Sequence, residues 1–192
     1  MTNDALLDAA KGYARGRLSE GRYAHTLRVA NTVKRLAKLY GLDPDKARLS
    51  ALLHDAAREM GKDELLRVAK EEGLPISDFE REHPVLLHGP VAAELACKEL
   101  GVEDVEVREA ICHHTTGAPG IGPLALALYV ADKIEPGRKG SGVEGLRKVA
   151  LMSLRRAAMA TLEDSISHNE QCGRPTHPKS LKTLKWLKSY GG

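Results

Sequence analysis

Leu124-Ala125-Leu126-Ala127-Leu128-Tyr129-Val130-Ala131-Asp132 is the stretch on which the fold turns. Pro123 opens it, at the one helical position where a missing N–H is no loss. The run is apolar nearly all round, the mark of a helix at the centre of a domain. It then ends on a carboxylate. Leu128 lies four residues before Asp132 and Ala125 seven before, so all three share one helix face. A carboxylate carried on that face is costly to bury alone and needs a cation: an Arg, a Lys or a metal.

Outward from this helix the pattern stays helical. Residues 4–18 are rich in Ala and Leu. From Tyr23 to Tyr40, Val29, Val33, Leu36 and Ala37 recur as one stripe. Gly41 stops it, and Asp43-Pro44 caps the next helix, about 44–58. Further helices are expected at 63–72, 84–100, 103–114 and 123–135, with 74–83 as a connector. Loops at 115–122, 136–142 and 172–178 are rich in Gly and Pro. A long helix at 143–170 and a short basic one end the chain. No strand alternation or internal repeat is present. The expectation is one all-α domain of eight or nine helices over residues 1–192.

Composition closes off other classes. Apolar residues are 42% of 192, and the 18 Gly bring the share near one half, as in globular chains rather than disordered ones. Aromatics are only 4%, too few for a β-sandwich or for a platform that stacks nucleic-acid bases. Cys97, Cys112 and Cys172 are too few and too irregular for a disulfide framework or a Cys-rich zinc site, and they fit a reducing compartment. No stretch of apolar residues is long enough for a membrane span. Met1-Thr2-Asn3-Asp4 lacks the basic start of a signal peptide, so a cytoplasmic protein is expected. Residues 137–192 carry 11 Lys/Arg against 4 Asp/Glu, while the preceding residues are net acidic. That basic section suits a polyanionic partner. A solvated face made of Lys179, Lys182, Lys185 and Lys188 explains the tail equally well, and a nucleic-acid role has no other support.

Histidines and aspartates recur at inward positions. His54-Asp55 follows the apolar Leu49-Ser50-Ala51-Leu52-Leu53. His25 sits one turn before Val29 and two before Val33. With Asp132, three separate helices each aim a ligand-type side chain at the core. Neutral imidazole and carboxylate are the donors expected for zinc, iron or manganese. A hydrogen-bonded core histidine or an internal salt bridge accounts for any one of these sites, but less easily for all three.

His25, then His54-Asp55, then Asp132 resembles the metal signature of the HD-domain phosphohydrolases, an all-α superfamily. His88 and His114, between the His-Asp pair and the last Asp, resemble its binuclear branch. The strings Arg22-Tyr23-Ala24-His25-Thr26-Leu27, Leu53-His54-Asp55-Ala56-Ala57-Arg58, Leu87-His88-Gly89-Pro90-Val91-Ala92-Ala93, His114-Thr115-Thr116-Gly117 and Tyr129-Val130-Ala131-Asp132-Lys133-Ile134-Glu135-Pro136-Gly137-Arg138 are similar to the YqeK family of bacterial HD proteins. The motifs fall within about residues 18–138, and helices over 143–190 are expected to pack on that part.

The resemblance implies a metal-dependent hydrolase that splits diadenosine tetraphosphate symmetrically into two ADP. It implies that His25, His54, Asp55 and Asp132 hold one metal, and that Asp55 bridges to a second held by His88 and His114. Iron is the first expectation, with manganese, cobalt or zinc accepted by the same donors. His83 and His113 match no family ligand position, although spacing alone leaves them open. His168 and His177 lie outside the motifs.

Cleaving a phosphoanhydride calls for charge neutralisation more than for a strong acid. Lys133, Arg138 and Arg58 are the candidate cations. Lys133 and Arg138, with Asp55, are expected to act in catalysis, although Lys133 lies about 100° from Asp132 on an ideal helix. Arg58, Thr115, Gly117 and Arg138 are expected to bind substrate, Thr115 through its hydroxyl and Gly117 by leaving room for backbone approach. Other HD nucleotide phosphohydrolases, such as a nucleotidase or a cyclic-dinucleotide phosphodiesterase, are the alternatives, as is a non-catalytic nucleotide sensor. The chain lacks the Gly-Tyr-Pro signature of the cyclic-dinucleotide enzymes. Its unbroken helical faces permit a homodimer.

Overall fold

The structure, a computed structural model, describes residues 3–140 and 142–189. Among these it is all-α. The helices are α1 (Asn3–Arg17), α2 (Glu20–Leu39), α3 (Pro44–Leu53), α4 (Lys62–Glu71), α5 (Asp78–Glu82), α6 (His88–Leu100), α7 (Val105–His113), α8 (Pro123–Ile134), α9 (Val143–Met152), α10 (Leu154–Gln171) and α11 (Pro178–Ser189). A 3-10 turn, Pro84–Leu87, leads into α6. Ser141 of the expected 136–142 loop and Tyr190 of the expected last helix lie outside the described residues.

Local chemistry sets the helix starts. Asp43 accepts from the N–H groups of Asp45 and Lys46 and so caps α3, with Pro44 in its first turn. Asp104 caps α7 in the same way, through Glu106 and Val107. From Leu124 to Asp132 every residue of α8 is buried, as its all-round apolarity requires. α8 packs against α2, α7 and α10, while α3 packs against α1, α2 and α7. The C-terminal ends of α3 and α8 thereby come to one place. Leu7 of α1 and Leu187 of α11 belong to the same buried cluster as Leu52, Ile111 and Leu128.

Three details depart from the expected helices. The 74–83 connector contains α5, because Ser77 and Glu80 form a reciprocal capping box. The long helix at 143–170 breaks at Ser153, whose backbone is extended and whose hydroxyl accepts from the Arg156 N–H, capping α10. With α5, that break raises the count from nine to eleven. Finally, α3 stops at Leu53 rather than near 58. Tight turns follow it, with the Ala56 N–H on the Leu53 carbonyl at 3.1 Å and the Arg58 N–H on the Asp55 carbonyl at 2.8 Å.

The first turn of α6 presses against the last turn of α7. A Cβ on Gly89 would lie 2.8 Å from the Cys112 carbonyl oxygen and 3.1 Å from that of Ile111. Both obstacles are backbone, so neither can swing aside. Overpacking of this kind costs about 1–3 kcal/mol, more than the ~1 kcal/mol that Ala gains over Gly inside a helix. Gly89→Ala should therefore destabilise the fold, read as a lowered denaturation midpoint. A midpoint at or above that of the parent protein would show that the two helices do not meet this closely.

Candidate metal centre

Six side chains from five regions converge where α3, α7 and α8 end. Asp55 stands at the middle. Its Oδ1 is 3.3 Å from His88 Nε2 and 3.6 Å from His114 Nε2. Its Oδ2 is 3.7 Å from His54 Nε2. His25, His54 and Asp55 form one set of donors able to hold a metal, and Asp55, His88 and His114 form a second. Asp132 joins the first side, with Oδ1 3.0 Å from His25 Nε2. His83 and His113 stand in neither set.

Three of the four imidazoles are oriented by one device. His54 Nδ1 bonds the Ala51 carbonyl at 2.5 Å, His88 Nδ1 that of Val85 at 2.5 Å, and His114 Nδ1 that of Ile111 at 2.7 Å. Each of these histidines directly follows a helix or turn and bonds the carbonyl three residues back. Carbonyls in the last turn of a helix have no intrahelical partner, so the rings of His54 and His114 each satisfy one, while the Val85 carbonyl also accepts from the His88 N–H. A carbonyl can only accept, so Nδ1 carries the proton and the neutral ring turns a bare Nε2 toward Asp55. Burial pushes the His54 pKa down, which keeps that ring neutral.

The result is a cluster of imidazole acceptors with few donors. His88 Nε2 and His114 Nε2 lie 3.0 Å apart. Thr115 Oγ1 is within 3.3 Å of both, but its single proton serves one at a time. His54 Nε2 is buried with no hydrogen-bond partner. A buried orphan nitrogen costs free energy unless something fills the gap. Lone pairs of imidazole and carboxylate, aimed at common points and oriented through Nδ1, suit divalent metal ions.

Cations ring the cluster. Lys133 Nζ bonds Asp132 Oδ2 at 2.8 Å, its flexible stem overcoming the 100° offset expected on an ideal helix. Arg138 reaches Asp132 twice, Nη2 to Oδ1 at 2.7 Å and Nε to the backbone carbonyl at 2.8 Å. Burial raises the Asp132 pKa, but the Lys133 charge and its other neighbours outweigh it and hold the carboxyl well below its usual value. Arg58 lines the cleft beside them, and burial, then the charge of Arg22, lowers its pKa.

The cleft opens into a larger cavity of about 720 Å³, between the metal cluster and α10–α11. Arg58, Thr115, Lys133 and Arg138 line both spaces. Gly117 does not face either. It is buried with φ +65°, and a Cβ there would meet Thr183 of α11 at 2.8 Å. Its lack of a side chain leaves room for α11. His177 lines the cavity but also accepts from the Lys179 N–H at 2.9 Å, capping α11. His113 sits beside Lys179 instead, and burial with that charge pushes its pKa down to about 4.

Sequence reasoning missed Glu135. It is 1% exposed, with Oε1 3.1 Å from His25 Nδ1. It completes for His25 what a carbonyl does for the other three rings. Arg28 Nε and the Gly137 N–H both bond Glu135 Oε2, at 2.6 Å and 2.5 Å. A Cβ on Gly137 would lie 2.6 Å from Arg28 Nε, so this turn packs tightly on the guanidinium. Carboxylates behind ligand histidines typically raise metal affinity about 10–100-fold. Glu135→Ala should lower metal affinity by about that factor in a chelator competition, with helical content retained. Unchanged affinity would reduce Glu135 to a brace for Arg28.

The geometry agrees with the relatives. Residues 22–137 match the HD domain family, a span containing all six converging side chains. The chain is 37% identical over 172 residues to the symmetrical bis(5'-nucleosyl)-tetraphosphatase of Bacillus subtilis, covering 90% of this chain and 92% of that one. It is 38% identical over 170 residues to the protein of the same name from Halalkalibacterium halodurans, covering 88% and 90%. The crystal structure of a predicted HD superfamily hydrolase involved in NAD metabolism, from Clostridium acetobutylicum, superposes with a TM-score of 0.92 at 35% identity, covering 95% and 96%. The chain thus belongs to the HD domain family, among the symmetrical bis(5'-nucleosyl)-tetraphosphatases.

Proposed function

We propose that this protein hydrolyses diadenosine tetraphosphate symmetrically, to two ADP. The observation that carries the reading is the sharing of Asp55 by two sets of histidines, beside a cleft whose cations outnumber its carboxylates. Asp55 and Asp132 are the carboxylates lining the cleft, against Arg22, Arg58, Lys133 and Arg138. Such a wall recruits a polyanion. Bound metals supply Lewis acidity there and lower the pKa of water, so that hydroxide is available near neutral pH.

In this reading His25, His54, Asp55 and Asp132 hold one ion, and Asp55, His88 and His114 hold the other. Iron is our first assignment, with manganese, cobalt and zinc accepted by the same imidazole and carboxylate donors. Lys133 and Arg138 neutralise charge on the phosphate chain as the anhydride opens, where a preorganised cation lowers the barrier. Asp132 holds both of them before substrate arrives. Arg58, which lines the same cleft, binds the chain too, and Thr115 donates its hydroxyl to it. The adjoining cavity takes a nucleoside.

We read the chain as one HD domain, because Leu162 of α10 and Ser180 of α11 complete the wall of that cavity. No helix among the described residues is long and apolar enough to cross a membrane. With three free cysteines and a nucleotide substrate, we place the reaction in the cytoplasm.

Metal-loaded protein given diadenosine tetraphosphate should yield ADP alone, resolved by ion-exchange chromatography. ATP and AMP in equal amounts would mean asymmetric cleavage and sink the proposal. Metal analysis tests the binuclear reading separately. Two ions per chain are expected for the parent protein, against about one for His88→Ala with little remaining activity. One ion in both proteins would rule out the second site.

A further inference from the structure

Arg22 is a cation that the sequence left without a role. It sits in the first turns of α2, its side chain 38% exposed, with Nη1 3.4 Å from Asp55 Oδ2. Its Nε is 3.4 Å from Glu59 Oε1. Glu59 is fixed in turn by Ser19, whose N–H and hydroxyl donate to it at 2.8 Å and 2.6 Å. The chain Ser19–Glu59–Arg22 thus props a guanidinium over the edge of the metal cleft, beside the shared carboxylate.

The two spaces divide the cations unequally. Lys133, Arg138 and Arg58 line both the cleft and the large cavity. Arg22 lines the cleft alone. A four-phosphate chain cut at its central bridge has two phosphates and a nucleoside on each side of the cut. One half enters the large cavity, where Lys133 and Arg138 serve its phosphates. The other half then lies along the part of the cleft that the large cavity does not share. Arg22 is the guanidinium lining that part. Metals at the centre would draw Asp55 toward themselves, which leaves Arg22 with Glu59 and a free face.

We propose that Arg22 binds the phosphates of the substrate half that lies outside the large cavity, so that a symmetrical substrate is held asymmetrically. The inference rests on the proposed reaction. It makes Arg22 a determinant of selectivity for two-ended substrates. A mononucleotide that fills the cavity does not touch it.

Arg22→Ala and Arg22→Lys, both metal-loaded, test this against the parent protein. Three quantities are read: kcat/KM for diadenosine tetraphosphate, the affinity for ADP by calorimetry, and metal content. Loss of one charge-assisted contact should lower kcat/KM about tenfold to a hundredfold in Arg22→Ala. Arg22→Lys should recover part of it, while ADP affinity stays within about twofold and metal content is unchanged. An Arg22→Ala variant as efficient as the parent overturns the assignment. Metal loss, or a fall in ADP affinity parallel to that in kcat/KM, overturns it too, by showing that Arg22 acts through Asp55. A parent protein that makes no ADP from diadenosine tetraphosphate overturns the reaction, a result independent of how Arg22→Ala compares with it.

Discussion

The Asp55 carboxylate is almost wholly buried and faces three imidazole nitrogens, with one guanidinium at its edge. Little in the protein itself balances it. Arg22 is 3.4 Å away and solvent-screened, and the imidazoles present lone pairs. A buried carboxylate among lone pairs is tolerable only if a cation joins them. The arrangement of helices follows from that need. α3, α7 and α8 all end around one point, and the 3-10 turn before α6 delivers a fourth ligand there. Helix ends are suited to the task because they leave carbonyls unpaired. His54 and His114 each satisfy one such carbonyl through Nδ1, so a structural demand and a ligand orientation are met by one bond, and His88 is oriented in the same way by the Val85 carbonyl.

That coincidence also explains what the sequence could reveal. His25 and Asp132 lie within long helices, where a 3.6-residue period gives their azimuth, and both were legible as inward residues. His54-Asp55 was legible from the apolar run before it. His88 and His114 sit where helices begin or stop, and periodicity assigns no direction there. Only resemblance separated them from His83 and His113. Glu135 escaped notice because it is one residue past the end of α8, where a Glu before Pro136 reads as a solvent-exposed turn. Arg22 escaped although it lies seven residues before Val29, on the face of His25, because an arginine in the first turns of a helix reads as a solvated charge.

Backbone detail shows the same division. The Ser77-to-Glu80 capping box was present in the sequence as Ser-x-x-Glu, and α5 could have been read from it. The break at Ser153 could not. Apolar residues keep helical spacing through it, and a lone serine is tolerated inside a helix. What stops the helix is tertiary. α9 packs against α8, and α10 packs against α8 and α11. Gly117 carries a tertiary demand of the same kind: the neighbour that takes the space beside it is Thr183, sixty-six residues on.

The outer wall of the site and the metal cluster are joined through one turn. Glu135 holds His25 on one side and the Gly137 N–H on the other. Arg147 of α9 bonds the carbonyls of Ile134, Glu135 and Arg138. Arg138, carried by that turn, grips Asp132. A ligand histidine, a ligand aspartate and a phosphate-facing arginine therefore share one short run of backbone, pinned from α2 by Arg28 and from α9 by Arg147. A phosphate chain that drew Arg138 away from Asp132 would free a carboxylate oxygen next to His25. Under the proposed roles, substrate binding and metal ligation draw on the same carboxylate oxygen. The pinned turn lets the side chains exchange partners while the backbone stays where the reaction needs it.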